Sequence, residues 1–306
     1  METAMAAGYP QRPVTIVVPG PAGGSGDIVS RLVGKALSDI WKQPVVIENR
    51  PGAGGIIGVQ ALLRSAPDGY TLLMGNTGPN AINYSLSKSL PYKAQDLIAI
   101  SDVLVFPNVL VVKADAPYRS VSDLIAAGKK NPGKLSFSSS GIGQTTHLSG
   151  ELFKVHTGVD ATHIPYKGAN LGLSAVMSGE VDFMFDNLPT SQAQIKAGTV
   201  RALAVTSSER IADMPEVPTM IEAGVADFQI TGWFGLFALK GTPTEVVEAV
   251  HRSLAEILRQ PETVARFKQL GGHPGGLTPR QFSDFVESEG KKWALAVNAS
   301  GANAVP

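Results

Sequence analysis

The stretch VTIVVPGPAGGSGD, residues 14–27, places a short β-branched run directly before a loop of proline, glycine and serine. From Ile28 to Trp41 the apolar side chains then recur every three or four residues, which is typical of a helix lying on a sheet. A strand, a glycine-rich turn and a helix in this order open a βαβ unit. The stretch therefore predicts an α/β fold.

The same strand, loop and helix order recurs along the chain. The later β-rich runs are residues 45–47, 71–74, 135–138, 162–164 and 181–185, with a further strand at 201–206. Strands that alternate with helices favour mainly parallel sheets flanked by helices. Because 306 residues are about twice the length of a usual single domain, we expect two lobes.

Two segments without an intervening helix are where we expect the chain to cross between the lobes. Residues 104–113 should form two β runs broken at Pro107-Asn108, and residues 229–237 form a second β-prone run. The predicted lobes are lobe I, residues 1–112 and 230–306, and lobe II, residues 113–229. Proline-containing capping boxes at Thr242–Glu245 and Thr278–Gln281 predict two helix starts near the end of the chain.

Composition excludes several classes of protein. The 26 basic residues balance the 26 acidic ones, which argues against nucleic-acid or anionic-membrane partners. The chain has no cysteine, so disulfides, thiolate metal ligands and cysteine nucleophiles are excluded. No apolar run reaches the roughly 18 residues that a membrane-spanning helix needs.

The start of the chain leaves three alternatives open. Residues 1–8 have neither the basic region nor the apolar core of a signal peptide. Ala4-Met5-Ala6 is compatible with the end of a cleaved signal, with a cloning remnant and with an ordinary cytoplasmic start.

The common catalytic and metal-binding motifs are absent. The chain has no Gly-x-x-x-x-Gly-Lys-Ser/Thr loop and no Gly-x-Ser-x-Gly elbow, and the first loop does not match Gly-x-Gly-x-x-Gly. The five histidines form neither His-Glu-x-x-His nor an i, i+4 pair. The sequence therefore predicts no catalytic residues, no metal and no cofactor.

The glycine-rich loops predict a site for an anion. The first N–H groups of a helix are unpaired and its dipole favours negative charge there, while glycine lets a ligand approach the main chain. In open α/β sheets such loops lie at the carboxyl ends of strands, where ligands bind. Ser138, Ser139 and Ser140 would add neutral donors. Any one loop could be an ordinary tight turn, but five in one chain favour binding.

Several single residues have a structural interpretation, and most of them also have a binding one. Asp27 would cap or hold the first helix. Arg50 and Lys167 are the only cations within the six loops, and either could pair with a carboxylate or remain solvated. Tyr166 and Trp233, like Phe234, could line a pocket or belong to a core.

Several motifs, each weak alone, together resemble the substrate-binding proteins of tripartite tricarboxylate transporters, the Bug family. They include VIENRPGAGG (46–55), PDGYTL (67–72), IPYKG (164–168) and GWFG (232–235), and the resemblance extends over about residues 9–300. It implies a two-lobed periplasmic binding protein of type II, with two hinge crossings and the ligand between the lobes. It also implies a periplasmic, monomeric, non-catalytic protein that delivers a di-, tri- or aromatic carboxylate to membrane components of a transporter.

The resemblance also implies the ligand-binding residues. In the family a carboxylate is commonly held by loop main chain, hydroxyls and ordered water. Carried over by position, the residues are Pro21, Ala22, Gly23, Gly24, Ser25 and Thr77 on lobe I, and Ser139, Ser140, Gly143, Gln144, Tyr166 and Asp186 on lobe II. Many relatives carry a bulky residue where this chain has Gly20-Pro21-Ala22, so the pocket shape is expected to differ.

Two other functions use the same scaffold. A sensor input module would present the bound acid to a membrane protein, and an enzyme would need a nucleophile and base that the motifs do not supply.

Overall fold

The computed structural model describes residues 8–301. The strands are Val14–Val18 (β1), Val45–Asn49 (β2), Thr71–Asn76 (β3), Leu97–Lys113 (β4), Leu135–Ser139 (β5), Ala161–Pro165 (β6), Phe183–Asn187 (β7), Val200–Val205 (β8), Thr231–Leu239 (β9) and His273–Pro274 (β10). The α-helices are Ser25–Trp41 (α1), Ile56–Leu63 (α2), Asn83–Leu86 (α3), Val121–Lys130 (α4), Thr145–Thr157 (α5), Ala169–Ser178 (α6), Leu188–Lys196 (α7), Thr244–Arg259 (α8), Pro261–Gln269 (α9) and Pro279–Ser300 (α10).

These bounds bear on the expectation about membrane-spanning helices but not on the alternatives for the start of the chain. Within residues 8–301, none of the helices combines the length and the apolar character that crossing a membrane requires. The alternatives for the start of the chain concern residues 1–7, which lie outside the described residues.

The described chain groups into two compact units. The first comprises residues 8–105, Trp233–Phe267 and His273–Lys291, and the second comprises Phe106–Gly232, Lys268–Gly272 and residues 292–301. Boundaries between the two units fall inside β4 and near the start of β9. The grouping also places in the second unit two C-terminal segments that the predicted lobes assign to lobe I.

The sheet of the first unit is built around β1, which pairs in parallel with β2 and β3. β3 then pairs antiparallel with β9, and β10 pairs antiparallel with β4. Val14, Ile16, Val17 and Val18 are each at most 1% exposed, as expected for a central parallel strand covered on both faces. Because β1 and β3 run in the same direction, the loops that follow them lie at one edge of the sheet.

The sheet of the second unit has β5 paired in parallel with β6 and β7. β4 pairs antiparallel with β7 and with β8. The α/β fold with helix-flanked sheets is therefore confirmed, but each sheet is mixed. Three strands in each unit have the predicted parallel arrangement, and antiparallel strands extend them.

The prediction of two β runs broken at Pro107-Asn108 is wrong, because β4 is one strand of 17 residues. The Asn108 N–H donates to Thr206 Oγ1 (2.8 Å). The same hydroxyl donates to the Ile230 carbonyl (2.6 Å) and lies 3.1 Å from the carbonyl oxygen of Asn108. A buried threonine thus completes the hydrogen bonding beside the proline, so the strand continues through it.

The two predicted capping boxes have opposite outcomes. At α10 the Thr278 N–H donates to Gln281 Oε1 (3.0 Å) and the Gln281 N–H donates to Thr278 Oγ1 (3.4 Å), which confirms that box. At α8 the prediction is wrong: Pro243 is the N-cap residue, and Thr242 donates its hydroxyl back to the Leu239 carbonyl (2.8 Å).

This difference can be measured. We expect Thr278→Ala to lower the free energy of unfolding by about 1 kcal/mol, because an N–H at the start of α10 loses its acceptor. Thr244→Ala is the matched control, since Thr244 is exposed at the first position of α8, which has no side-chain cap. Urea unfolding of both variants checks the prediction, and equal losses would contradict it.

Candidate functional site

The loop between β1 and α1 carries four of the predicted binding residues, and a fifth, Ser25, begins α1. Gly24 is the N-cap residue of α1, and its N–H donates to the Pro21 carbonyl (3.3 Å). Gly23 has φ +76°, a conformation that glycine adopts without strain. Ala22 and Gly23 are exposed, whereas Ser25 is buried in the first helical turn. The loop thus presents main chain at the positive end of α1.

Asp27, in the first turn of α1, forms a hydrogen bond with this loop. Its Oδ2 accepts a hydrogen bond from the Gly23 N–H (2.9 Å), and its Oδ1 lies 2.9 Å from Arg31 Nη2. Burial alone would raise the pKa of Asp27, but the hydrogen bonds from Arg31 and Gly23 outweigh it and lower the pKa. The Gly23 N–H is therefore engaged internally.

Thr77 lies on the same edge, directly after β3. It is buried, and its Oγ1 accepts a hydrogen bond from the Trp233 N–H (3.1 Å). The turn that follows, Gly78–Ile82, is a single π-helical turn, a feature that is frequent at functional sites. Because the Thr77 oxygen is the acceptor in this bond, its O–H hydrogen remains available as a donor.

Trp233 and Phe234 belong to the core. Trp233 is fully buried, its indole N–H donates to Glu289 Oε2 (3.1 Å), and its ring contacts Phe282 at a centroid distance of 5.6 Å. Phe234 is also buried, and its ring lies under Gly26, where an added Cβ would be 3.3 Å from it. Gly26 therefore lets the first turn of α1 approach this ring closely.

In the second unit, the residues after β5 form a tightly bonded loop. Ser139 is fully buried, its Oγ lies 2.7 Å from His163 Nε2, and it accepts a hydrogen bond from the Gly141 N–H (3.2 Å). The Ser140 N–H donates to Thr146 Oγ1 (3.0 Å), and the two hydroxyls lie 2.8 Å apart. The side chains of both serines are thus directed to neighbouring residues of the same unit.

Gly143 and Gln144 complete the loop at the start of α5. Gln144 is the N-cap residue, and its carbonyl accepts hydrogen bonds from the N–H groups of His147 and Leu148, both 3.1 Å. The Gly143 N–H donates to His147 Nδ1 (3.4 Å). The N–H groups of Thr145 and Thr146, in the first turn, therefore lie at the positive end of the helix.

The two histidines behind this loop are stacked, and His147 is buried whereas His163 is half-buried. The rings of His147 and His163 have centroids 4.2 Å apart and planes inclined by 24°. Burial, followed by the charge of Lys154, lowers the pKa of His147 to about 4. Burial, followed by His147 and Lys154, lowers the pKa of His163 to about 3. Both rings are thus neutral at physiological pH.

Glu151 and these two histidines offer three metal-ligand atoms within 4.8 Å of one another among the described residues. However, nearly parallel stacked rings direct their lone pairs side by side, whereas a metal ion needs lone pairs that converge. Ser139 and Gly143 already contact one nitrogen of each ring, and Glu151 Oε2 is paired with Lys154 (3.0 Å). The cluster is therefore better described as a hydrogen-bonding network than as a metal centre.

Asn187 is a residue that the sequence analysis missed. It ends β7, and its Oδ1 accepts hydrogen bonds from Thr145 Oγ1 (3.2 Å) and Asn108 Nδ2 (3.1 Å). The start of α5 and the end of β7 are thus joined at one edge of the sheet. An asparagine at the end of a predicted strand, next to Asp186, is the signal that could have drawn attention to it.

The side chains of Tyr166 and Asp186 form hydrogen bonds with residues outside the loop after β5. The Tyr166 N–H donates to the Ser139 carbonyl (3.1 Å), whereas its hydroxyl donates to Glu180 Oε1 (2.9 Å). Asp186 lies within β7 and not in a loop, and its Oδ1 accepts a hydrogen bond from the Asn187 N–H (2.8 Å). Burial raises the pKa of Asp186 to about 8, so it is mostly protonated at neutral pH.

The two cations of the predicted loops are on the surface. Arg50 forms an ion pair with Glu48, and both side chains are largely exposed. Lys167 is also exposed. Of the two interpretations of these cations, the exposure of both side chains favours the solvated surface role.

Comparison with a family model identifies the tripartite tricarboxylate transporter family receptor over residues 29–301. The chain is 39% identical to Protein BugT of Bordetella pertussis over 296 residues, which cover 96% of this chain and 91% of that protein.

Two solved structures are similar to this chain in both fold and sequence. Rpa4515 of R. palustris with adipate has a TM-score of 0.95 and 35% identity, covering 97% of this chain and 100% of that one. MatC of Rhodopseudomonas palustris with bound malate has a TM-score of 0.89 and 30% identity, covering 94% and 100%. The family match spans most of the chain and the relatives match over nearly their full length. The chain therefore belongs to the tripartite tricarboxylate transporter receptor family, the Bug family of type II periplasmic binding proteins.

Proposed function

We propose that this protein is a periplasmic solute-binding protein that captures a small organic carboxylate and delivers it to the membrane components of a tripartite tricarboxylate-type transporter. The observation that carries the proposal is the repeated use of a glycine-rich loop before a helix, at α1 and at α5. Relatives solved with adipate and with malate support the ligand class. The protein acts as a monomer and catalyses no reaction.

The proposed binding elements are the loops after β1 and β3 in the first unit, and the loop after β5 and the end of β7 in the second. Unpaired N–H groups at a helix start stabilise an anion without a formal charge, and they do so more strongly where water is excluded. The Thr77 hydroxyl adds a neutral donor. A neutral site of this kind favours a carboxylate without requiring an arginine.

A panel of mono-, di-, tri- and aromatic carboxylates tests the ligand class by thermal unfolding. A ligand at about 100 times its dissociation constant should stabilise the folded protein by about 2.7 kcal/mol. If no acid raises the unfolding midpoint, the proposal fails. Delivery is tested separately, by loss of uptake of the identified acid when the protein is deleted.

Gly24→Asp tests the first loop. Gly24 has φ −76°, which other residues also adopt, and an added Cβ would lie 3.3 Å from the Pro21 carbonyl oxygen, so the loop must shift slightly. The new carboxylate would lie beside the proposed ligand and repel it. We expect affinity for the identified acid to fall roughly 100-fold, about 2.7 kcal/mol. Gly290→Asp adds the same charge on α10, where an added Cβ meets no other atom within 4 Å, and it should bind normally. Unchanged affinity in Gly24→Asp would remove this loop from the site.

A further inference from the structure

His163 makes a hydrogen bond that reaches the candidate loop through a serine. Its Nε2 lies 2.7 Å from Ser139 Oγ, and the same oxygen accepts a hydrogen bond from the Gly141 N–H (3.2 Å). Ser139 is fully buried, so its hydroxyl is used inside the unit. A chain of two hydrogen bonds thus links a side chain on β6 to the main chain of the loop after β5.

The ring of His163 is fixed by stacking. Its centroid lies 4.8 Å from that of Phe137, with planes inclined by 25°, and 4.2 Å from that of His147. A ring packed between two others at such distances has little freedom to rotate. His147 in turn accepts a hydrogen bond from the Gly143 N–H (3.4 Å). Two alternate glycines of the loop are therefore held by the same stacked pair.

We propose that His163 is a positioning residue of the carboxylate-binding loop: it fixes the Ser139 hydroxyl, which fixes the Gly141 amide and so sets the conformation of residues 140–144. Ser139 then acts through the loop and not as a direct ligand contact. The first N–H groups of α5 remain the donors that face the ligand. The inference rests on the proposed function, because it assigns a role within that site.

Two substitutions separate the hydrogen bond from the packing. His163→Phe keeps an aromatic ring between its neighbours and removes the nitrogen, whereas His163→Gln keeps a hydrogen-bonding group near Ser139 and removes the stack. A purely structural role predicts that affinity follows packing, so the glutamine variant would bind worse. The positioning role predicts the reverse order of affinity, whatever the order of stability.

The first experiment measures affinity for the acid identified in the thermal panel, by calorimetry, together with the unfolding midpoint of each variant. We expect His163→Phe and Ser139→Ala each to weaken binding by about 10-fold, the value of one net hydrogen bond. The double variant should bind no more weakly than either single one, because both break the same chain of hydrogen bonds. His163→Gln should stay within about 3-fold of the parent. Additive losses, or weaker binding by His163→Gln than by His163→Phe, would overturn the proposal.

The second experiment needs no ligand. Hydrogen exchange of the Gly141 amide in the free protein should accelerate in His163→Phe and Ser139→Ala and remain slow in His163→Gln. A parent protein that binds no carboxylate would defeat the proposed function while leaving this measurement to decide the role of His163. Unchanged Gly141 exchange in His163→Phe would refute the positioning role even if carboxylates bind.

Discussion

Between pH 6.5 and pH 4, the free energy of unfolding should fall steeply as the pH is lowered. His147 and His163 titrate near 6.5 in an unfolded chain, but burial lowers their pKa values to about 4 and about 3 in the folded protein. In this range the unfolded state binds protons that the folded state does not, so stability is present above pH 6.5 and lost below it. Each histidine contributes about 1.4 kcal/mol per pH unit.

Urea unfolding at a series of pH values measures this slope. Replacing both His147 and His163 by glutamine should abolish this fall and leave the opposite, weaker dependence that Asp186 contributes in the same range, at some loss of stability at pH 7. His156→Gln is the control, because His156 is exposed, and it should keep the full slope. A parent protein whose stability is flat between pH 6.5 and pH 4 would show that the stacked pair is not neutral and buried in solution.

Asp186→Asn should stabilise the protein increasingly as the pH rises towards 8. Burial raises the pKa of Asp186 from 3.8 to about 8, so between these values the folded state retains a proton that the unfolded state has lost. Asp186 therefore contributes a loss of stability with rising pH, of about 1.4 kcal/mol per unit, and this contribution levels off above pH 8. Asparagine resembles the protonated carboxyl and carries no such dependence, so the difference between the variant and the parent should grow with pH.

The same unfolding series, extended to pH 9, tests this expectation. Asp213→Asn removes an exposed carboxylate of the same unit and should leave the slope between pH 6.5 and pH 8 unchanged. An advantage of Asp186→Asn that does not vary with pH would show that packing, and not ionisation, explains it. Because the histidine pair destabilises the protein below pH 6.5 and Asp186 destabilises it as the pH rises, the stability maximum is expected at about pH 6.5.

The fold could be predicted largely from local patterns. The alternation of β-branched runs, glycine-rich loops and apolar stripes marks each strand and helix at its own position in the chain, as residues 14–27 illustrate. The break expected at Pro107-Asn108 shows where such reasoning fails. The partner that lets β4 continue is Thr206, which is 98 residues away from Asn108. A local rule about proline does not include a distant hydroxyl.

The loops of the candidate site were predictable in position, but the directions of their side chains were not. Glycines and serines before a helix indicated the loops at α1 and α5, because the chemistry of a helix start is local. The direction of each hydroxyl was not predictable, since it depends on tertiary partners. Ser139 is directed to His163, and the Tyr166 hydroxyl to Glu180. Whether these residues contact a ligand remains a prediction.

Trp233 gives the first unit a built-in optical reporter. Its main-chain N–H donates to the Thr77 hydroxyl oxygen, and its indole N–H donates to Glu289 inside an aromatic cluster. Indole emission responds to small changes in the polarity and hydrogen bonding around the ring. An acid that accepts a hydrogen bond from the Thr77 hydroxyl would therefore perturb the emission of Trp233. Binding could then be followed by intrinsic fluorescence without attaching a dye.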